Sequence, residues 1–215
     1  MTPLRVFLVD DHPIVRYGFA QLLAVESDIV VCGEAVSARQ AIDGLATNPD
    51  VMVVDLSLGS SDGIDLIKEI KERAPRIAVL VVSMHDEMLY AERSLRAGAA
   101  GYVMKHEATE SIVRAIRTVA GGGVFVSEAV SARVLQKKMG AKARSPLENL
   151  SDRELYVFQL MGRGLGTRAI AEHLHVSIKT VESYRARLKE KMNLRSGTEL
   201  MRFAVRWAED KESSG

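Results

Sequence analysis

The chain has 215 residues, of which 47% are hydrophobic and 27% charged, a composition typical of a globular protein with room for two domains. One cysteine, Cys32, excludes an intramolecular disulfide and a metal site built from several cysteines. Apolar runs stay below the ~20 residues that span a bilayer, and the N-terminus lacks a signal-peptide pattern. We therefore expect a cytoplasmic protein without membrane contact.

The net charge of +1 hides an asymmetry between the two halves of the chain. Residues 1–127 contain 12 Lys and Arg against 17 Asp and Glu, whereas residues 128–215 contain 17 against 11. Only the second half is therefore expected to meet a polyanion such as nucleic acid.

Strand-like and helix-like segments alternate five times in the first half, which predicts an α/β domain of parallel βα units. Gly33-Glu34-Ala35 closes the second strand. The other strands are predicted at the apolar runs Leu4 to Val9, Val51 to Val54, Ile77 to Val82 and Gly101 to Met104. Helices are predicted over 13–24, 38–47, 63–73, 87–97 and 109–120.

Residues 123–147 are predicted to link the halves, with a short helix over 128–138. The stretch from Gly140 to Pro146 is basic and poor in large apolar side chains, which is typical of a flexible tether. Residues 148–210 are predicted to form a small all-α domain, and residues 211–215 a disordered tail.

Polar residues follow four of the predicted strands: Asp10 and Asp11, then Asp55, Ser83 and Lys105. The carboxyl ends of parallel strands lie at one edge of a sheet, so these side chains are expected to converge. Three carboxylates in one place repel each other and require a hard divalent cation, for which Mg²⁺ is suited. Asp55 is then a candidate nucleophile toward phosphorus, with Ser83 and Lys105 holding the incoming oxygens.

These stretches resemble the receiver domain of bacterial two-component response regulators over residues 3–122. The segments that match are Phe7-Leu8-Val9-Asp10-Asp11-His12-Pro13, Val54-Asp55-Leu56-Ser57-Leu58 with Asp62-Gly63, Val82-Ser83-Met84, and Gly98-Ala99-Ala100-Gly101-Tyr102-Val103-Met104-Lys105. The family usually has proline where this chain has Gly59.

The resemblance implies a five-stranded, parallel, doubly wound (βα)5 receiver domain, residues 1–122, whose Asp55 is phosphorylated by a sensor histidine kinase. It further implies that Mg²⁺ is held by Asp11, Asp55 and the Ser57 backbone carbonyl, with Asp10 acting through water. Ser83 and Tyr102 occupy the places of the family's switch residues. His12, His85 and His106 are expected to line the pocket rim rather than to bind metal.

The second half contains a helix-turn-helix pattern. Ser151 and Glu154 form a capping box that opens a first helix, a short helix follows over 167–174, and Ser177 caps a third helix that runs to about residue 192. At 100° per residue, one side of this third helix is apolar and predicted to face the core, through Val181, Leu188 and Met192. The opposite side carries Lys179, Ser183, Arg187 and Glu190.

The sequence from Leu150 to Tyr184 carries a resemblance to the C-terminal domain of LuxR/NarL-type regulators, which extends over residues 148–207. Within it, the segment Thr-Val-Glu-Ser-Tyr-Arg-Ala-Arg is similar to that of GacA/UvrY-like members. Family members often have lysine at Glu182 and histidine at Tyr184. The resemblance implies a homodimer that binds inverted half-sites in the major groove of double-stranded DNA. The residues predicted to contact DNA are Thr167, Arg168, Ser177, Lys179, Thr180, Glu182, Ser183, Tyr184, Arg187 and Lys191.

Other functional classes are less well supported. A phosphatase of the aspartyl-nucleophile type needs a second carboxylate two residues after the nucleophile, where this chain has Ser57. A nucleotide-binding Rossmann domain needs a glycine-rich loop after the first strand, and none is present. The hypothesis of a DNA-binding regulator that works without phosphorylation stays open, because an intact pocket does not prove that the pocket is phosphorylated.

Overall fold

The computed structural model describes residues 2–58, 61–139 and 145–212, which divide into two compact units, Met1–Ala141 and Lys142–Gly215. Gly59, residues 140–144 of the predicted tether and residues 213–215 of the predicted tail lie outside the described residues. In the part of the chain that is described, no helix combines the length and apolar character needed to cross a membrane.

The first unit is built on a parallel sheet of five strands, as the sequence predicts. The strands are β1 (Leu4–Val9), β2 (Ile29–Ala35), β3 (Val51–Val54), β6 (Ala78–Ser83) and β7 (Gly101–Met104), with β4 (Ser57–Leu58) and β5 (Ser61–Asp62) forming a separate small hairpin. In space the order is β2-β1-β3-β6-β7. Strands β1, β3 and β6 are almost entirely apolar because helices cover both faces of the sheet.

The helices of this unit follow the predicted bounds closely. They are α1 (Pro13–Ala24), α2 (Ala38–Asp43), α3 (Gly63–Arg73), α4 (Glu87–Ala97), α5 (Ala108–Ala120) and α6 (Glu128–Lys138). The second helix is shorter than predicted, because residues 44–47 form a 3-10 turn. At this turn the main chain of Gly44 lies against the ring of Phe7, where any side chain would clash.

The stretch that follows α5 belongs to the first compact unit, whereas the sequence assigns it to the linker. Phe125 pairs with the edge strand β7: its carbonyl accepts from the N–H of Tyr102 over 2.8 Å, and its N–H donates to the carbonyl of Ala100 over 3.0 Å. Helix α6 packs on α4, where Val130 is buried and Lys137 Nζ lies 2.5 Å from Glu92 Oε2. These contacts are long-range, so local composition does not reveal them.

The second unit is all helical, with a short 3-10 turn over Pro146–Asn149 and then α7 (Asp152–Gly162), α8 (Thr167–His173), α9 (Ile178–Lys191) and α10 (Gly197–Glu212). The capping box of Ser151 and Glu154 forms as predicted. Between α8 and α9 the chain turns tightly at His175, whose φ is +53°. Helix α10 runs to Glu212, so residues 211 and 212 are helical rather than part of a disordered tail.

Candidate functional site

Three carboxylates meet at the carboxyl edge of the sheet. Asp10 and Asp11 follow β1 and Asp55 follows β3, the neighbouring strand, whose chain is joined to β1 by a hydrogen bond from the N–H of Asp55 to the carbonyl of Val9 (2.8 Å). The strand order reverses here, which is where open α/β sheets bind ligands. One potential ligand atom from each of Asp10, Asp11, His12 and Asp55 lies within 4.8 Å of all the others.

Lys105, from the end of β7, bridges two of these carboxylates. Its Nζ lies 2.7 Å from Asp10 Oδ2 and 2.8 Å from Asp55 Oδ2, and its side chain is only 10% exposed. Burial raises the pKa of Asp55 above its ordinary value, and the charge of Lys105 opposes that rise. Burial by itself would lower the pKa of Lys105, but the carboxylates of Asp55 and Asp10 raise it. The amine is therefore held in its charged form.

The two carboxylate oxygens of Asp55 differ in their surroundings. Oδ2 is bound by Lys105, whereas Oδ1 is buried and has no hydrogen-bond partner among the described residues. A buried carboxylate oxygen without a donor is costly unless a cation or a bonded group satisfies it. Asp11 is partly exposed, so the cluster opens toward solvent on that side. This set of oxygen ligands fits a hard divalent cation such as Mg²⁺.

His12 and His85 make more contacts within the site than the sequence predicts for residues of the pocket rim. His12 belongs to the carboxylate cluster, because its Nδ1 lies 2.8 Å from Asp11 Oδ1 and 3.1 Å from Asp10 Oδ1. The N–H of His12 also donates to Asp10 Oδ1 over 2.8 Å. His106 is exposed, as expected of a rim residue.

His85 connects the predicted switch residues to their neighbours. Its N–H donates to Ser83 Oγ (3.2 Å), its carbonyl accepts from Tyr102 Oη (2.7 Å), and its Nε2 lies 3.0 Å from Ser57 Oγ. Its ring stacks on Tyr90 of α4, with 4.8 Å between centroids. The sequence does not predict this connecting role of His85. The available signal was its position two residues after Ser83.

The Tyr102 ring already lies inside the protein in this structure. The side chain is 2% exposed and donates to the carbonyl of His85. Burial raises the pKa of Tyr102 well above its ordinary value, so the hydroxyl stays protonated. A switch role for Tyr102 would therefore start from a ring that is already inside the protein.

Helix α9 has the facing that the sequence predicts. Val181 and Leu188 are fully buried and Met192 nearly so. The exposed side carries Lys179, Glu182, Ser183, Ala186, Arg187 and Glu190. Ser177 caps the helix, since its Oγ accepts from the N–H of Thr180 over 3.1 Å.

Two of the predicted DNA contacts bond to side chains of a different helix. Thr167 Oγ1 accepts from Arg185 Nη1 over 3.0 Å. Lys191 Nζ donates to Glu154 Oε2 over 2.7 Å and to the carbonyl of Asn149 over 3.3 Å. Burial would raise the pKa of Glu154, but the bond from Lys191 lowers it, so this pair is ionised and ties α9 to the start of α7.

Both halves of the chain match known families. Residues 6–117 match the family described as "Response regulator receiver domain", and residues 148–204 match "Bacterial regulatory proteins, luxR family". The chain is a two-component response regulator. Its order of domains is that of the NarL/FixJ family, which confirms the resemblance found in the sequence. As a member of this family it is a DNA-binding regulator of transcription rather than a classical enzyme.

Curated relatives align over nearly the whole response regulator. The oxygen regulatory protein NreC of Staphylococcus carnosus (strain TM300) is 32% identical over 211 residues, covering 94% of this chain and 97% of that protein. The response regulator UvrY of Escherichia coli (strain K12) is 33% identical over 205 residues, covering 94% of both.

Solved structures of RcsB from Salmonella typhimurium are also similar. One has a TM-score of 0.74 at 28% identity and covers 96% of this chain and 98% of that chain. Another, with RcsB bound to promoter rprA in the presence of the phosphomimetic BeF3−, has a TM-score of 0.71 at 26% identity and covers 95% of this chain and 99% of that one.

Proposed function

We propose that Asp55 of this response regulator accepts a phosphoryl group from the phosphohistidine of a sensor histidine kinase, and that phosphorylation controls DNA binding through α9. The observation that carries this proposal is the asymmetry of the Asp55 carboxylate, with Oδ2 held by Lys105 and Oδ1 buried without a hydrogen-bond partner among the described residues. Lys105 thus fixes the orientation of the carboxylate, and no donor among the described residues occupies Oδ1, which leaves its lone pairs available for attack on phosphorus.

In this proposal Asp11, Asp55 and the backbone carbonyl of Ser57 would hold Mg²⁺, and Asp10 would act through water. When bound, the ion neutralises charge that develops on the transferring oxygens. The closeness of the carboxylate oxygens supports this assignment, because the single positive charge of Lys105 does not balance three carboxylates.

The protein's own groups then divide the work. A carboxylate oxygen of Asp55 forms the bond to phosphorus as the bond from phosphorus to the kinase histidine breaks. Lys105, now bound to Asp10 and Asp55, donates to a phosphoryl oxygen while keeping Asp10. Ser83 Oγ accepts from the N–H of His85 and can donate its own hydrogen to the phosphoryl group. Slow hydrolysis of the aspartyl phosphate would return the protein to its resting state.

The switch runs from Ser83 through His85 to α4. If Ser83 turns toward the phosphoryl group, its bond with the N–H of His85 lengthens and the His85 carbonyl and ring are free to shift. That carbonyl holds Tyr102, and that ring stacks on Tyr90. A local change in charge would thereby alter the α4 surface, which is the kind of event that couples a modification to a distant readout.

On the DNA side, we propose that Lys179, Glu182, Ser183 and Arg187 face the bases in the major groove. All four are exposed on one side of α9. Lysine and arginine pair with guanine, whereas a glutamate accepts from cytosine N4 and repels phosphate. The positions proposed to contact the DNA backbone are Thr167, Arg168, Ser177, Thr180, Tyr184 and Lys191. Among these, Thr167 and Lys191 would have to exchange or share their present partners, Arg185 and Glu154.

We further propose that the active form is a homodimer that binds inverted half-sites, about one helical turn apart. Two recognition helices related by twofold symmetry then meet successive major grooves. We expect this bacterial regulator to act in the cytoplasm, because that compartment holds the chromosome.

The test compares the wild-type chain with Asp55→Asn, and with Asp65→Asn as a control that removes an exposed carboxylate of α3. Phosphoramidate serves as the small phosphodonor, and labelling is followed by intact-protein mass spectrometry. Wild type and Asp65→Asn are expected to be labelled and Asp55→Asn is not. Undiminished labelling of Asp55→Asn would refute the assignment.

DNA binding is measured on fragments selected by the labelled wild-type protein from a random-sequence library. We expect labelling to strengthen binding of wild type and to leave Asp55→Asn unchanged. Equal affinity with and without phosphodonor, in a wild-type protein that is labelled, would favour the regulator that works without phosphorylation.

A further inference from the structure

The main chain of Asp10 is anchored at both of its polar groups. Its N–H donates to the carbonyl of Ala35 over 3.1 Å, and its carbonyl accepts from Arg16 Nη1 over 2.8 Å. The same guanidinium donates through Nε to Glu34 Oε2 over 3.1 Å, and the Arg16 side chain is only 14% exposed. Arg16, from α1, therefore ties the end of β1 to the end of β2.

The carbonyl that Arg16 holds belongs to the peptide unit between Asp10 and Asp11. Because a peptide unit is planar, fixing its oxygen also fixes the direction of the Asp11 N–H and limits where the Asp11 side chain can point. These two residues supply two of the three carboxylates in the cluster. A rotation of this peptide would change the positions of the Asp10 and Asp11 carboxylates relative to each other, so the anchor acts on the geometry of the site.

Arg16 is mostly buried beside the pocket. It lines a small cavity of about 10 Å³ together with Asp10 and Asp55. Arginine suits this place because its planar fork can donate to a carbonyl and a carboxylate at the same time, in fixed directions. A lysine ammonium is a single point charge and cannot reproduce that arrangement.

We infer that Arg16 is a positioning residue for the divalent cation: it holds the peptide between Asp10 and Asp11 so that both carboxylates face the ion. This inference rests on the proposed function, which places a cation among these carboxylates. Residues that orient metal ligands change metal affinity by roughly 10–100-fold when they are replaced. We expect an effect in that range for the loss of Arg16.

The experiment titrates the ¹⁵N-labelled full-length chain with MgCl₂ and follows backbone amide shifts of the pocket by NMR. Arg16→Met removes both bonds and keeps a long unbranched side chain with similar helix propensity. We expect it to raise the Kd for Mg²⁺ by roughly 10-fold or more. Arg16→Lys should raise the Kd by a smaller factor, since the ammonium can replace one of the two bonds.

The matched control is Arg117→Met. Arg117 also pairs with two carboxylates, Glu26 and Asp28, but it is 45% exposed on α5 and neither of these partners belongs to the carboxylate cluster. We expect its Kd for Mg²⁺ to equal that of wild type. Glu34→Gln keeps the bond from Arg16 to the Asp10 carbonyl, so it should shift the Kd by less than Arg16→Met does.

The outcomes separate this inference from the proposed function. A wild-type chain whose amides do not respond to MgCl₂ would refute the metal site itself. Wild-type binding with the same Kd in Arg16→Met would refute the role of Arg16 alone. If the NMR spectrum shows that Arg16→Met is unfolded, Arg16→Lys decides, and a wild-type Kd in that variant overturns the inference. A larger effect from Glu34→Gln than from Arg16→Met would also overturn it, because the ion pair rather than the peptide anchor would then matter.

Discussion

Replacing Lys105 with methionine tests how the carboxylate cluster is stabilised. The change keeps the aliphatic stem but removes the ammonium that lies 2.7 Å from Asp10 and 2.8 Å from Asp55. Both carboxylates are at least 95% buried. Removing one partner of a buried ion pair typically costs about 3–5 kcal/mol. Because the pocket opens to solvent at Asp11 and a carboxylate can take up a proton, we expect about 3 kcal/mol at pH 8.

The loss should depend on pH, with a definite sign. Burial already raises the pKa of Asp55, and removing the positive charge of Lys105 raises it further. A carboxyl group whose pKa is higher in the folded than in the unfolded state contributes most stability at low pH, and that contribution is lost as pH rises through the folded pKa. The deficit of Lys105→Met relative to wild type should therefore be larger at pH 8 than at pH 5.

The assay is urea unfolding in EDTA at both pH values, followed by far-UV circular dichroism. Trp207 is the single tryptophan and lies in the second unit, so its fluorescence provides an internal reference that should not change. Lys71→Met is the matched control, because the Lys71 ammonium donates to the main-chain carbonyls of Pro75 and Ile77 rather than to a carboxylate. Its deficit should be the same at the two pH values.

Adding Mg²⁺ provides the second measurement on Lys105→Met. A cation that binds only the folded state stabilises it by mass action, and the variant offers the same carboxylates without a competing ammonium. We expect Mg²⁺ to raise the unfolding free energy of Lys105→Met by more than that of wild type. A deficit that is equal at pH 5 and pH 8 and insensitive to Mg²⁺ would refute the electrostatic reasoning.

The remaining predictions concern the switch and the DNA-reading face. Tyr102→Phe removes a hydrogen bond to the carbonyl of the partly buried His85, so it should cost about 0.5–1.5 kcal/mol in urea unfolding. Labelling of Asp55 should persist while the phosphorylation-dependent gain in DNA affinity shrinks. Glu182→Lys should raise affinity for random DNA and reduce discrimination, because phosphate attraction carries no sequence information. Competition between a specific site and random DNA measures the selectivity of each variant. The control is Glu190→Lys, which makes the same charge change near the end of α9. Equal selectivity in the two variants would contradict the proposed orientation of Glu182 toward the groove.

Several features of the fold could be predicted because their causes are local. Strands buried on both faces must be apolar throughout, so β1, β3 and β6 are visible as apolar runs, and the polar residue after each run marks the edge of the sheet. Helix caps are equally local, since an orphan N–H needs a nearby side-chain oxygen. Ser151 and Ser177 both cap as expected.

Contacts made through the main chain left no comparable signal. The bonds from Tyr102 to the His85 carbonyl and from Arg16 to the Asp10 carbonyl involve an acceptor that every residue carries. The residue type at the acceptor position therefore does not predict such a bond. The docking of α6 on α4 likewise depends on contacts such as Lys137 with Glu92, 45 residues apart in the chain.

The sequence by itself determined which chemical groups exist and at which strand or helix end each one lies: the carboxylates of Asp10, Asp11 and Asp55, the amine of Lys105, and the outward face of α9. Only the tertiary structure decided how those groups are held, because the distances among them depend on strands and helices far apart in the chain. Lys105 binds one oxygen of Asp55, the other has no hydrogen-bond partner among the described residues, and His85 and Arg16 reach the pocket through bonds formed only in the folded chain.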